Sequence, residues 1–395
     1  MVPNGWEITN FGQLAEFRNG LNFTKADRGE AIKIVGVADF KDHSSLSSFE
    51  RLDTINVSNT VKENDLIKSG DVLFVRSNGN KDLIGRCLFF PEVTEKLSFS
   101  GFTIRGRVTS KDILPSYLAL LSRSEIVKQQ FSKNGGGTNI SNLSQQILND
   151  VVIPLPTIKE QRKIAQILST WDRSIATTEK LIDTSKQQKK ALMQQLLTGK
   201  KRLVDPETGK TFEGEWEEVR LTELCKIGTG KKDANEGSSS GKYPFFTCAK
   251  RPISSSSYSY DFEALLIAGN GDIGTTHYYK GKFEAYQRTY ILSEFRTVFV
   301  TYLHHWINLY LKRDVDREKQ HGAMPYIKVG MLQNFKVRLG SYSEQQKIAS
   351  VLTAADKEIE LLEAKLAHLK QEKKALMQQL LTGKRRVKVA ETEAA

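Results

Sequence analysis

The twelve residues KKALMQQLLTGK at Lys189–Lys200 return letter for letter at Lys373–Lys384, and this duplication decides how the rest of the chain is read. An unseen repeat would misassign the whole fold. Outward from the identical string the match runs without a gap: EQRKIAQIL from Glu160 answers EQQKIASVL from Glu344, and Asp172 answers Asp356. A second match opens each half, where Trp6, Glu7, Phe11, Leu14, Phe17 and Gly20 have the spacing of Trp216, Glu217, Leu221, Leu224, Ile227 and Gly230. The offset of 210 at the tryptophans falls to 184 at the glutamates, so the second interior is 26 residues shorter. Similar frames therefore enclose dissimilar contents, in a 395-residue chain with room for several cores.

In the second copy, apolar residues recur at Ile348, Leu352, Ala355, Ile359, Leu362, Leu366, Leu369, Leu376 and Leu380, a three-four spacing interrupted by Lys373. Such a stripe is a coiled-coil seam. The first copy sets Ile164, Leu168, Trp171, Ile175, Ile182, Leu192 and Leu196 in the same register, weakened in its middle by Thr178, Ser185 and Lys189. Gly199 and Gly383 stand where a helix C-terminus favours a residue tolerant of positive φ. About 38 helical residues make a rod roughly 57 Å long. The two segments are expected to pair antiparallel within one chain; an ordinary bundle or an oligomerisation coil is the alternative.

The interiors read as α+β. Strands are expected at AIKIVGVADF, DVLFVRS, IGRCLFF and FTIRGRV in the first, followed after Pro115 by one amphipathic helix from Ser116 to Phe131. The second gives YPFFTCA, ALLIAG and TYILSEF, then a helix near Val298 to Lys312; VVIPLP and FKVRL lead back into the long helices. The division is 1–158 for the first domain, 159–203 for the first helical segment, 204–342 for the second domain and 343–386 for the second helical segment. Residues 387–395 are expected to be a disordered tail.

The formal charge of +12 points to a polyanionic partner. Residues 159–203 hold 11 Lys and Arg against 4 Asp and Glu, so more than half the surplus lies on the first helical segment. Contact between the domains and DNA would then rest on local patches. Arg suits guanine edges, Asn suits adenine, and glycine-rich backbone approaches phosphates closely. The first domain offers Arg76, Asn78, Asn80, Lys81 and Arg86 around one turn, and Lys133, Asn134, Gly136, Thr138 and Asn139 after the helix. The second offers Lys231, Lys232, Lys250, Arg251, Asn270, His277, Tyr278, Lys280, Lys282 and Arg288. For any one of these, solvated surface is the plainer reading.

Several motifs fail on inspection. GNGDIG at Gly269–Gly274 fits a dinucleotide fingerprint, but TTHYYKGKFEAYQRTYIL follows it where a helix is required, so a hairpin is expected. GKY at Gly241 is no phosphate loop, and the adjacent His304 and His305 make a poor metal pair. Asn-Pro-Pro-aromatic, typical of amino-methyltransferases, does not occur. Cys87, Cys225 and Cys248 are too scattered for a disulfide framework and suit a reducing cytoplasm. No apolar run reaches membrane-span length and MVPNGWEITN is no signal peptide, so a cytoplasmic protein without membrane contact is expected.

Two divergent domains, each opened by a Trp and Leu frame, closed by an IPLP-like strand and an EQ-x-K-I-A helix start, and ended by LLTGK, resemble the specificity subunit of type I restriction-modification enzymes. The resemblance spans Trp6 to Lys384. It implies an α+β fold in which two target recognition domains are separated by an antiparallel intramolecular coiled coil with pseudo-two-fold symmetry. It further implies that each domain reads one half of an asymmetric split site in double-stranded DNA. The helices would set the spacing, near one DNA turn of about 34 Å, and dock two methyltransferase subunits, a core that a restriction and translocase subunit joins. Such a chain is non-catalytic and holds no cofactor; S-adenosylmethionine, ATP and Mg would belong to the partners. A non-enzymatic self-assembling scaffold, and an enzyme with an unrecognised site, are the competing readings.

Overall fold

The computed structural model describes residues 3–24, 27–40, 44–57, 61–134, 142–318 and 326–389. The chain divides into two compact units: residues 1–177 with 366–395, and residues 178–365. Each unit therefore takes in half of each long helix as well as one of the divergent interiors.

In the first unit, β1 (Glu7–Asn10), α1 (Phe11–Leu14) and β2 (Ala15–Asn19) are the opening frame. Its apolar members Phe11, Leu14 and Phe17 are buried, which accounts for their spacing. The interior follows as β3 (Glu30–Val35), β4 (Asp53–Val57), β5 (Val72–Val75), β6 (Cys87–Phe89), β7 (Leu97–Phe99) and β8 (Thr103–Val108). They form a four-stranded sheet β2-β8-β5-β6 and a three-stranded sheet β4-β3-β7. Val72 to Val75 are all fully buried, as a short unbroken apolar run between two faces requires.

After Pro115 come two helices, α2 (Pro115–Ser122) and α3 (Glu125–Asn134), where one was expected over Ser116 to Phe131. The break is local. The Ser124 hydroxyl accepts from Val127 N at 3.5 Å and starts a new helix, while the Arg123 side chain donates to the Ser44 carbonyl. Nor is α2 amphipathic, since Tyr117 through Ser122 are all buried. A short α4 (Gln145–Asn149) and β9 (Val152–Leu155), which pairs antiparallel with β1, lead into α5 (Ile158–Leu196).

The second unit repeats the plan. It opens with β10 (Glu217–Arg220), α6 (Leu221–Leu224) and β11 (Lys226–Thr229), followed by β12 (Tyr243–Phe246), β13 (Ile253–Ser255), β14 (Tyr260–Ala268), β15 (Thr276–Ala285) and β16 (Thr289–Ser293). Then come α7 (Val300–Glu318), α8 (Val329–Gln333), β17 (Lys336–Leu339) and α9 (Tyr342–Leu380). One six-stranded sheet runs β11-β16-β14-β15-β12-β13. Its first four strands occupy the places of β2-β8-β5-β6, and β10 pairs β17 as β1 pairs β9. The GNGDIG stretch is the turn of the β14–β15 hairpin, where no helix follows.

Each long helix is uninterrupted for 39 residues because neither Pro nor Gly enters it. All sixteen seam positions assigned from the sequence are buried or half-buried, whereas Leu181 and Leu361, off the seam, are 48% and 59% exposed. In the first unit Ile164 and Leu168 share a core with Leu376 and Leu380. In the second Leu192 and Leu196 share one with Ile348 and Leu352. The polar interruptions of the seam find partners at matched places. Lys373 pairs with Asp172 in the first unit and Lys189 with Asp356 in the second, and these four positions are the repeat's own equivalents. In both units the contacts advance along α5 as they retreat along α9.

The same reciprocity explains the EQ start. In the first unit the buried Glu160 accepts from Trp6 Nε1 at 3.2 Å and from Arg386 Nε at 2.7 Å. In the second the buried Glu344 accepts from Trp216 Nε1 at 2.9 Å and from Arg202 Nε and Nη2 at 2.6 and 2.9 Å. Each clasp thus ties the opening Trp, the start of one helix and the segment just past the end of the other. Gly199 at φ 70° and Gly383 at φ 71° turn the chain there, with Lys201 N and Arg385 N bonding back to Gln195 O and Gln379 O. Gln161 and Gln345, also buried, accept from Leu114 N and Phe299 N, both at or just before the start of a domain helix. Val387 packs on the first core, and residues 390–395 lie outside the described residues.

Candidate nucleic-acid interface

The two units bring equivalent turns to the same edge of their sheets. In the first, Leu143 N donates to Arg76 O at 2.8 Å; in the second, Ile327 N donates to Gly269 O at 2.8 Å. The glycines that close the opening frames sit against the strand before: a Cβ on Gly20 would lie 2.3 Å from Ser100 O, and one on Gly230 would lie 2.2 Å from Ala285 O. No other residue fits without moving backbone. Around these fixed points the loops differ in length and residue type.

In the first unit, Arg76 is half-buried and reaches Gly101 O at 3.4 Å, so its guanidinium is held along the rim of the turn. Asn78 and Asn80 serve the turn itself, accepting from Asn80 N at 2.8 Å and Asp82 N at 3.0 Å. Lys81 and Arg86 are exposed beside them, and Lys133 is exposed on the last turn of α3. The side chain of Asn134 and the residues Gly136, Thr138 and Asn139 lie outside the described residues.

In the second unit the candidates separate into distinct groups. Tyr278, Lys280 and Lys282 alternate along β15 on one face and are exposed. Tyr278 donates to Glu263 at 2.7 Å, which with burial pushes its hydroxyl pKa up to about 12, and Lys282 lies 4.6 Å from the Tyr258 ring centroid. His277 points to the other face, 5.4 Å from the Phe246 ring, where burial depresses its pKa. Lys232 also departs from the exposed set. It is half-buried, bonds Ser257 at 2.7 Å and stands 3.6 Å from Glu284, a carboxylate with no exposure, so its charge is spent inside the unit. Lys231, Lys250, Arg251 and Arg288 are exposed, and Asn270 is half-buried at the hairpin turn.

Two of the six lysines of α5 are engaged, since Lys186 pairs with Glu363 at 2.6 Å and Lys189 with Asp356. His304 and His305 donate to or accept from Thr276 and Thr353, and burial holds both near pKa 4, so they are neutral at pH 7. Among the described residues no group of three His, Cys, Asp or Glu side chains could hold a metal ion, and no helix is long and apolar enough to cross a membrane. Sequence reasoning missed the clasp arginines, although Arg202 and Arg386 stand at the same repeat offset as the glutamates they meet.

Comparison with known proteins agrees with this duplicated arrangement. The family model described as type I restriction modification DNA specificity domain matches residues 3–186 and again 213–371. The chain belongs to this family. The EcoDI specificity subunit of Escherichia coli is 37% identical over 173 residues, a match covering 42% of this chain and 37% of that subunit. The MjaVIII specificity subunit of Methanocaldococcus jannaschii is 25% identical over 426 residues, covering 98% and 94% of the two chains. The fold is shared with the S subunit of the type I restriction-modification system of M. genitalium, at TM-score 0.63 and 14% identity over 96% of this chain and 98% of that one. A further family structure, from work on complex assembly and conformational transition of the type I system, matches at TM-score 0.61 and 19% identity over 98% and 100%.

Proposed function

We propose that this chain supplies the DNA address of a type I restriction-modification complex and performs no catalysis itself. Each unit reads one half of a split, asymmetric site through the loops at the strand ends. Helices α5 and α9 act as an antiparallel coiled coil with pseudo-two-fold symmetry that sets the spacing and docks two methyltransferase subunits. A restriction and translocase subunit joins that core. S-adenosylmethionine, ATP and Mg belong to the partners, and the setting is the cytoplasm.

The observation that carries this reading is that one frame, clasp and sheet edge occur twice while the loops mounted on them differ. The seam also argues against a self-assembling scaffold, because the apolar positions towards the two ends of each long helix are already packed within the units. The test is selection from randomised duplexes by the full chain assembled with its methyltransferase subunits. Two unlike half-sites at a fixed separation are expected. A single continuous palindrome, or no enrichment, overturns the proposal.

A further inference from the structure

At the equivalent sheet edges the two units carry cavities of similar size whose charged lining residues are of opposite sign. The first, about 590 Å³, lies between the β5–β6 turn, the loop entering β8 and the strands β3 and β4. Phe23 and Phe102 flank it, and Phe102 is 63% exposed, unusual for so large an apolar side chain. Its charged groups are the carboxylates of Asp53 and Asp39, beside the side chains of Ser77, Asn78 and Ser100. Asp39 is already tied to Gly36 N at 2.8 Å. Asp53 is exposed, and among the described residues no hydrogen bond or ion pair engages its carboxylate.

The second cavity, about 560 Å³, lies between the β14–β15 turn, the loop entering β16 and the start of α8. Tyr290 and Tyr326 flank it, and Tyr326 is 54% exposed. Its polar side chains are Asn270, Gln287, Arg288 and Lys328, with no carboxylate. Tyr290 turns its hydroxyl away to Ile327 O at 2.8 Å, and Lys328 lies 5.7 Å from the Tyr326 ring centroid. Among the described residues no hydrogen bond engages the side chains of Asn270, Gln287 or Arg288.

Base edges in the major groove differ in this same property. Cytosine N4 and adenine N6 are donors that a carboxylate accepts, while guanine O6 and N7 are acceptors that an arginine fork meets with two bonds. Buried against a base, either kind of group left facing its own kind is unpaired and costs affinity. A carboxylate in the first cavity is therefore repelled by guanine O6 as much as it is attracted by an exocyclic amine.

We propose that the first cavity, through Asp53, selects a base presenting an exocyclic amine, and that the second, through Arg288, selects guanine. The assignment rests on the reading of the chain as a DNA address and names the chemistry of each half. It also gives a physical reason why the two half-sites differ: the frames are alike, but one cavity presents carboxylates and the other cations. Exposed Phe102 and Tyr326 would supply the apolar contact beside each polar reader.

The test repeats the duplex selection with the full chain in its methyltransferase complex, comparing wild type with Asp53→Ala and Arg288→Ala. Both side chains are exposed, and thermal unfolding unchanged from wild type confirms that each variant folds. Asp53→Ala, which removes the acceptor altogether, should relax a preference for adenine or cytosine at one position of one half-site, and Arg288→Ala a preference for guanine at one position of the other. Each loss should be about 5- to 150-fold, the discrimination of one good base contact. Substituting a purine lacking N6, or a pyrimidine lacking N4, at the first position tells which amine is read. Variants that return the wild-type split site, or that weaken all sequences equally as phosphate contacts would, overturn the cavity assignment alone. A wild-type complex that enriches no sequence removes the proposed function and the assignment together.

Discussion

Trp6, Glu160 and Arg386 in the first unit make the same three-way contact as Trp216, Glu344 and Arg202 in the second, yet the sheets above them end in unlike cavities. The positions that match between halves include those that close a core, turn a helix end or satisfy a buried charge. The positions that differ include whole strands with cores of their own, and the turns at the strand ends beside the two cavities.

The clasps are alike but not equal, and the largest expected effect separates them. Glu344 has no exposed side-chain surface and takes two bonds from an Arg202 that is 22% exposed. Removing it by Glu344→Ala should cost about 3–5 kcal/mol, because the half-buried Arg202 loses its counter-charge and Trp216 Nε1 its acceptor. Glu160 faces Arg386, which is 45% exposed and can turn to water. Glu160→Ala should cost about 1–3 kcal/mol. Urea denaturation of the two variants measures the difference, and equal losses would mean that burial does not set the strength of the clasp.

Acid should distinguish the units next. Burial, ahead of the Lys189 charge beside His305, holds His304 and His305 near 4, below the value of about 6.5 expected when unfolded. The unfolded chain then binds more protons between these values, so their contribution is complete above pH 6.5 and is lost as pH falls toward 4. The loss should be on the order of 2 kcal/mol per histidine at pH 5. Hydrogen exchange at pH 7.5 and 5 should show α7 loosening in the second unit, and His305→Gln should reduce the change.

Smaller still is the ion-pair step in the seam. Lys189→Glu or Lys373→Glu alone should destabilise, and adding Asp356→Lys or Asp172→Lys should restore about 0.5–1 kcal/mol in each cycle. Matching coupling energies would show that the two pairs are true equivalents. Smallest is the reading surface: Lys280→Ala should lower the salt slope of DNA binding by about one without changing the selected sequence.

The repeat, the seam and the strand framework were legible in the sequence because each leaves a period or an identity that a single chain can display. The division of the Ser116–Phe131 helix was not, since it depends on Ser124 capping a new helix and Arg123 reaching Ser44 across the fold. The reading surface was legible only in part. Lys232 carries the charge of a DNA contact but neutralises Glu284, a pairing set by β15 and invisible to spacing. Asp53 carries no such signal, because a lone Asp in a strand is, by spacing and charge, an ordinary surface carboxylate; only the fold places it in the first cavity.

The most direct test of the central claim is an exchange of fillings. In a chain whose residues 216–342 are replaced by residues 6–158, both frames carry the first interior, and the clasp partners Glu160 and Glu344 keep their places relative to the strands. Assembled with methyltransferase subunits and offered randomised duplexes, it should select a split site whose two halves have the same sequence. Recovery of two unlike halves would contradict the account.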